Sequence, residues 1–314
     1  MPGDERRLVL VLGPGRSGTS AMAGALACCG YAVPDPIEAE ASNPAGFFEP
    51  QWVNDFHLEL LERADVRPLD SDPAATEAVA PLLTDPVVRG RLRDWLSLQL
   101  TEHDRLVVKD PRLVWFRDLW VGVAEELGEP AASVVMLRHP SEVSASRSEF
   151  YRSRTTTAVA GWINVALLAE RVTRGSPRAL VRYPDLTADW RATLTCLRDR
   201  LGLRLEPGPD VTPHPVDDFV DPTLRRREAG WNDSSDPARL RALADDVFDA
   251  LGSASRDDIP QRSAGLDALA ADYAALHAEA VDVVHHHVMR ERRQARRARR
   301  ARRQASKDAR RGSS

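Results

Sequence analysis

The chain has 314 residues, 43% of them hydrophobic and 29% charged, with a formal net charge of −4. That length and apolar content can bury a sizeable core in one large or two ordinary domains. Three cysteines without a Cys-x-x-Cys spacing indicate neither a disulfide framework nor zinc, but buried reduced thiols. No apolar run approaches the roughly 18 residues of a membrane span, and residues 1–7 lead into a strand without a signal-peptide core, so a cytoplasmic protein is expected.

The first predicted element is the apolar strand Leu8-Val9-Leu10-Val11-Leu12, followed by Gly13-Pro14-Gly15-Arg16-Ser17-Gly18-Thr19-Ser20 and a small-residue helix over 21–27 that ends at Gly30. Glycines that accept positive φ, ahead of a helix N-terminus, turn backbone N–H groups toward an anion. The Gly13-x-x-x-x-Gly18 spacing matches the start of a Walker A loop, but Thr19 stands where lysine would, and Arg16 is the loop's cation. That lysine serves β- and γ-phosphates, so a ligand with one 5′-phosphate and little need for metal fits better.

A turn-rich stretch over 42–50 precedes a predicted helix at 52–63, and residues 64–85 read as a flexible loop or irregular cap of the kind used as a lid. Further helices are expected from 86 to 100, at 116–127, 141–151, 158–173, 190–201 and 237–251, with strands at 105–109, 133–138 and 179–183. A Pro-rich connection spans 206–215. Alternating strands and helices predict a three-layer α/β fold, P-loop NTPase-like, with a mainly parallel sheet covered by helices on both faces. Ligands of such sheets sit at the carboxyl ends of the strands, where Arg16, Lys109 and Arg138 fall.

Residues 1–258 are expected to form the globular domain. Leu266, Leu269, Tyr273, Leu276 and Ala280 keep a 3- or 4-residue spacing, which predicts an amphipathic helix over 263–290, a candidate coiled coil and homodimer element. Residues 290–314 hold 12 Lys+Arg against 2 Asp+Glu, while the rest holds 31 against 45. An acidic body thus carries a basic arm, expected to be disordered over 291–314 unless bound, with an anionic membrane surface as the expected partner and nucleic acid not expected. His285-His286-His287 are consecutive, so on a helix they point about 100° apart and form no ligand face; no metal site is expected.

Together these motifs resemble the sulfotransferases that use 3′-phosphoadenosine 5′-phosphosulfate, in the form of many bacterial members, over residues 7–227. Gly15-Arg16-Ser17-Gly18-Thr19-Ser20 is similar to the family's 5′-phosphosulfate loop, with Arg16 in the place other members give to lysine. Arg138-His139-Pro140 with Ser146 resembles its 3′-phosphate signature, and Tyr183-Pro184-Asp185-Leu186 its Tyr-x-Asp-Leu element near the nucleotide. Lys109-Asp110-Pro111 is similar to a segment whose lysine faces the sulfuryl group. Asn43-Pro44-Ala45-Gly46-Phe47-Phe48-Glu49 resembles the bacterial Asn-Pro-x-Gly-x-x-Glu segment.

The resemblance implies a nucleotide donor as co-substrate, held by Gly15 to Ser20, Arg138, Ser146 and Tyr183, with Arg225 or Arg226 closing over the 3′-phosphate. Arg16 and Lys109 are the expected catalytic cations and Glu49 the expected base, with His57 as the alternative base; His139 is expected to shape the nucleotide pocket. The expected acceptor is a saccharide or glycolipid hydroxyl, reached beside the anionic inner membrane face. Two other classes stay open: a P-loop kinase or other nucleoside-triphosphate enzyme with Asp110 as its Walker B acid, and a non-catalytic nucleotide-binding scaffold with a polyanion-binding tail.

Overall fold

The computed structural model describes residues 7–40, 43, 45–151, 155–220, 230–232, 234–254 and 260–311. Four strands, β1 (Leu8–Leu12), β2 (Leu106–Lys109), β3 (Ala132–Leu137) and β4 (Arg178–Arg182), form one parallel sheet in the order β2-β1-β3-β4. Nearly every strand residue is buried, as continuous apolar runs in a parallel sheet require. The register pairs Val11 with Lys109, Leu12 with Val135 and Leu137 with Arg182. The strands therefore end side by side, and the chain reverses direction across the sheet at β1, the place where open α/β sheets take ligands at their carboxyl edge.

Side chains alternate between the two faces. Val9, Val11, Val107, Val134 and Met136 face one core, built with α1 (Thr19–Cys28), α9 (Trp190–Leu201) and the short α10 (Pro215–Phe219). Their neighbours Leu8, Leu10, Leu12, Val108 and Val135 are equally buried on the other face. There α5 (Leu113–Glu126) packs on β1, α7 (Thr155–Thr173) on β3, and α11 (Ala238–Ala254) on β3 and β4. The expected three-layer α/β architecture is what the chain adopts.

The helices α2 (Gln51–Ala64) and α4 (Pro86–Glu102) fall where the periodicity puts them, and Asp85 caps α4 by accepting from the N–H groups of Val87 and Val88. Residues 64–85 correct the expectation of an irregular lid: they contain α3 (Ala75–Thr84), which buries Ala75, Val79 and Leu82. The loop before it is tied down by Asn164 Nδ2, which donates to the carbonyls of Asp70 and Asp72 at 3.0 Å each. Gly161 makes room for this docking, since a Cβ there would lie 2.4 Å from the Leu69 carbonyl oxygen. The order of this segment is thus tertiary in origin and invisible to local propensity.

The chain also forms α6 (Pro140–Tyr151) after β3 and the short α8 (Tyr183–Ala188) after β4. Of the three cysteines only Cys29 is buried, and burial pushes its thiol up to about 12. Cys196 lies exposed on α9, correcting the expectation that all three are buried. The last helix, α12 (Pro260–Arg311), is continuous through the arginine-rich end. Alanine, arginine and glutamine are strong helix formers, a propensity left aside when the end was expected to be disordered for want of apolar residues.

The chain divides into two compact units, Met1–Ala270 and Ala271–Ser314. In the first, Asp267 of α12 accepts from both terminal nitrogens of Arg174 at 3.1 and 2.9 Å. In the second, Val281, Val283, Val284, Val288 and Met289 are exposed. Among the described residues no helix is long and apolar enough to cross a membrane.

Candidate active site

The loop between β1 and α1 folds as a cradle. Gly13 and Gly18 take φ values of 136° and 90°. Side chains there would also collide: a Cβ on Gly13 would lie 2.5 Å from the Met136 carbonyl oxygen, and one on Gly18 would lie 2.2 Å from Tyr183 Cδ2. Arg16 is itself left-handed at φ 75°, a conformation that costs a non-glycine residue about 1–2 kcal/mol and recurs at functional sites. The N-terminus of α1 has no side-chain cap. Ser17 Oγ is buried with no partner among the described residues. Uncapped N–H groups, the positive end of the helix and an unsatisfied hydroxyl suit an anion such as a phosphate.

At the end of β2, Lys109 is 2% exposed. Its Nζ donates to Glu49 Oε1 at 2.6 Å, to Ser20 Oγ at 3.1 Å and to the Phe47 carbonyl at 3.1 Å. Glu49 Oε2 accepts from Asn54 Nδ2 at 3.0 Å and from Arg112 Nη2 at 3.3 Å. The segment carrying Glu49 is pinned to the loop by Asn43, whose Nδ2 donates to the Gly46 carbonyl at 2.7 Å and to Ser20 Oγ at 3.1 Å. Phe48, at φ 53°, sets its ring edge-on to Phe219, with centroids 5.3 Å apart. Residues 60 positions apart thus meet because the turn at 43–49 folds over the start of α1 and the end of β2.

Behind this pair lies a second buried chain. Arg112 donates to Asp110 Oδ1 from its backbone N at 2.6 Å and from Nε at 2.9 Å. His57 Nδ1 stands 3.4 Å from the same Asp110 oxygen, while His57 Nε2 accepts from Trp120 Nε1 at 2.9 Å. A donor on Nε2's far side means that the ring proton is on Nδ1, facing Asp110. Burial lowers the His57 pKa, so the ring is neutral. Burial raises Asp110, but the facing His57 N–H and the Arg112 charge outweigh it and hold the carboxyl below its ordinary range. With Nε2 taken by Trp120, Nδ1 facing Asp110 and its side chain fully buried, His57 is poorly placed to accept a substrate proton.

Across β3, Arg138 Nε donates to Glu142 Oε2 at 2.6 Å, and its guanidinium lies over the Tyr183 ring at 4.8 Å. Ser146, on α6, accepts from Arg16 Nε at 3.0 Å, so the two expected phosphate-binding motifs already touch. His139 packs on Phe248 and Trp231, with ring centroids 5.1 and 5.9 Å away, and its Nε2 lies 3.2 Å from Asp245. Burial lowers its pKa. Arg225 and Arg226 lie outside the described residues.

The structure therefore brings Arg16, Ser17, Ser20, Lys109, Glu49, Ser146, Arg138 and Tyr183 to the carboxyl edge of β1, β2, β3 and β4. Sequence reasoning did not single out Arg112, Asn54 or Arg147, whose Nη1 lies 3.8 Å from where a Cβ on Gly15 would stand. A signal existed for two of them. Arg112 directly follows Lys109-Asp110-Pro111, and Asn54 lies one helical turn after Pro50, the residue that caps α2. Among the described residues no group of three or more His, Cys, Asp or Glu is arranged to hold a metal ion.

No protein-family model matches the chain, and no curated protein matches it. Among solved structures it is similar to the sulfotransferase domain from the Synechococcus PCC 7002 olefin synthase, at 20% identity, over 83% of this chain and 98% of that one, with a TM-score of 0.45. It is also similar to the sulfotransferase domain from the curacin biosynthetic pathway, at 14% identity, over 80% and 99% of the two chains, TM-score 0.44. A third likeness is to sulfotransferase STF1 from Mycobacterium tuberculosis H37Rv, at 16% identity, over 68% and 73%, TM-score 0.36. Likenesses this distant carry no argument of their own, and the functional reading rests on the side chains.

Proposed function

We propose that the chain is a sulfotransferase that moves a sulfuryl group from 3′-phosphoadenosine 5′-phosphosulfate to an acceptor hydroxyl of a saccharide or glycolipid. The observation that carries this reading is the meeting of Lys109, Glu49 and Ser20 at the mouth of a phosphate cradle that lacks the Walker lysine. A cation and a carboxylate at one point are what in-line transfer to a hydroxyl asks for. Ser17, Thr19, Ser20 and the α1 N-terminus suit the donor's 5′-phosphate; Arg138 and Ser146 suit its 3′-phosphate. The acceptor oxygen bonds to sulfur as the bond from sulfur to the nucleotide oxygen breaks. Glu49 takes the acceptor's proton, while Lys109 and Arg16 meet the charge left on the departing nucleotide.

The kinase alternative needs Asp110 to reach toward the loop. Its Oδ1 is held by Arg112 and faces His57, which argues against that role.

The acceptor class and the tail's partner are a joint reading. Exposed Val281, Val284 and Val288 recur at 3- and 4-residue spacing just ahead of the arginine-rich end, a pattern suited to an anionic membrane face or to a homodimeric helix pair. Incubation with sulfur-labelled donor and a panel of saccharides and vesicle-embedded glycolipids tests the proposal. Label transferred to a hydroxyl, abolished by Glu49→Gln, supports it; label released only to water, or none released, contradicts it.

A further inference from the structure

An ammonium group has three N–H donors, and all three of Lys109 are engaged, on Glu49, Ser20 and the Phe47 carbonyl. To contact an anionic ligand, Lys109 must give one of these up. Ser20 can keep its bond, because a hydroxyl that accepts from Lys109 still has a proton to donate to a phosphate. The Phe47 carbonyl is fixed in the backbone beside Phe48. Glu49 differs from both, since its Oε2 is held independently by Asn54 and Arg112. Arg112 in turn is clamped by two bonds to Asp110. If Lys109 left, the buried carboxylate would keep a cation and an amide. Exchanging it for another anion at Lys109 conserves charge, which spares the large penalty of an unpaired buried ion.

We propose that Lys109 passes between Glu49 and the anionic donor, so that donor binding unmasks Glu49 Oε1 as the base, and that Arg112 is the positioning residue that keeps the carboxylate in place meanwhile. This rests on the sulfotransferase reading and deepens it: the base becomes available only when the donor is bound, so the donor binds productively before the acceptor. The freed Oε1 then receives the acceptor's proton as the acceptor oxygen bonds to sulfur, and the electron pair of the broken sulfur–oxygen bond stays on the nucleotide oxygen that Lys109 now faces.

The test is calorimetric titration of the full chain with adenosine 3′,5′-bisphosphate. Glu49 competes with the ligand for Lys109, so Glu49→Gln binds about 10- to 150-fold tighter than wild type, the scale of one charged hydrogen bond. Glu49→Asp, which draws the carboxylate back by one methylene, moves Kd in the same direction by less and serves if the amide variant does not fold. Lys109→Met binds weaker. Arg112→Lys leaves Kd unchanged and lowers kcat, a split that mere loss of structure does not produce. Unchanged or weaker binding by both Glu49 variants overturns the exchange while leaving the sulfotransferase reading intact. Failure of wild type itself to bind the bisphosphate overturns both.

Discussion

Gly18→Ala is the sharpest perturbation of the cradle. Its Cβ would stand 2.2 Å from Tyr183 Cδ2, at a backbone φ of 90°. The left-handed conformation costs a non-glycine residue about 1–2 kcal/mol. Moving the Tyr183 ring also disturbs its contact with the Arg138 guanidinium, 4.8 Å away, worth about 0.5–1 kcal/mol. The sum is on the order of 2–3 kcal/mol, which lowers Tm by about 4–10 °C. Gly128→Ala is the control, because Gly128 has φ 77° but nothing within 4 Å of a Cβ. It carries the backbone cost without the collision and loses about half as much. Thermal denaturation measures both, and titration with adenosine 3′,5′-bisphosphate reads the site. Gly18→Ala weakens binding about tenfold, through one charged contact, whereas Gly128→Ala leaves it unchanged. If Gly18→Ala loses no more stability and affinity than Gly128→Ala, the placement of Tyr183 and Arg138 over the cradle is wrong.

Other outcomes follow from the same contacts. His57 has a folded pKa lowered by burial, so its stabilisation is complete above the unfolded value of 6.5 and is lost as the pH falls. Wild-type stability should decline below that pH, at up to about 1.4 kcal/mol per pH unit for one proton. Burial also lowers His139, so His57→Leu removes one of the histidine contributions and flattens the curve just below pH 6.5; an unaltered slope there would show that His57 is not held neutral. The same variant leaves Trp120 Nε1 without its acceptor, at about 1–3 kcal/mol, measurable by urea denaturation. Ser146→Ala removes the acceptor of Arg16 Nε and weakens the bisphosphate about tenfold while sparing adenosine 5′-phosphate. Equal loss for both nucleotides would remove Ser146 from the 3′-phosphate site. Deleting residues 290–314 should lower activity on acceptors in anionic vesicles and leave activity on soluble acceptors alone; equal rates on both would detach the arm from the acceptor.

The four strands were legible because each is a short apolar run next to a turn signal, and the phosphate cradle because its glycines, cation and hydroxyls sit together in eight residues. α3 was not legible. It is alanine-rich with Pro81 inside, and what orders its approach is Asn164, some 90 residues away. Lys109 and Glu49 were each nameable from local motifs, but their 2.6 Å contact is a product of topology. Local sequence likewise could not tell Glu49 from His57 as the base. The distinction lies in Trp120, which occupies His57 Nε2 from a different helix. Arg138 was nameable as a cation at a strand end, but its ion pair with Glu142 of the following helix was not read from the sequence.

The most direct measurement of the central claim is calorimetric titration of the purified chain with adenosine 3′,5′-bisphosphate, adenosine triphosphate and adenosine 5′-phosphate, each with and without magnesium. The account predicts that the bisphosphate binds tightest, at an affinity independent of magnesium and reduced by Arg138→Ala. Tighter binding of the triphosphate, dependent on magnesium, would contradict it.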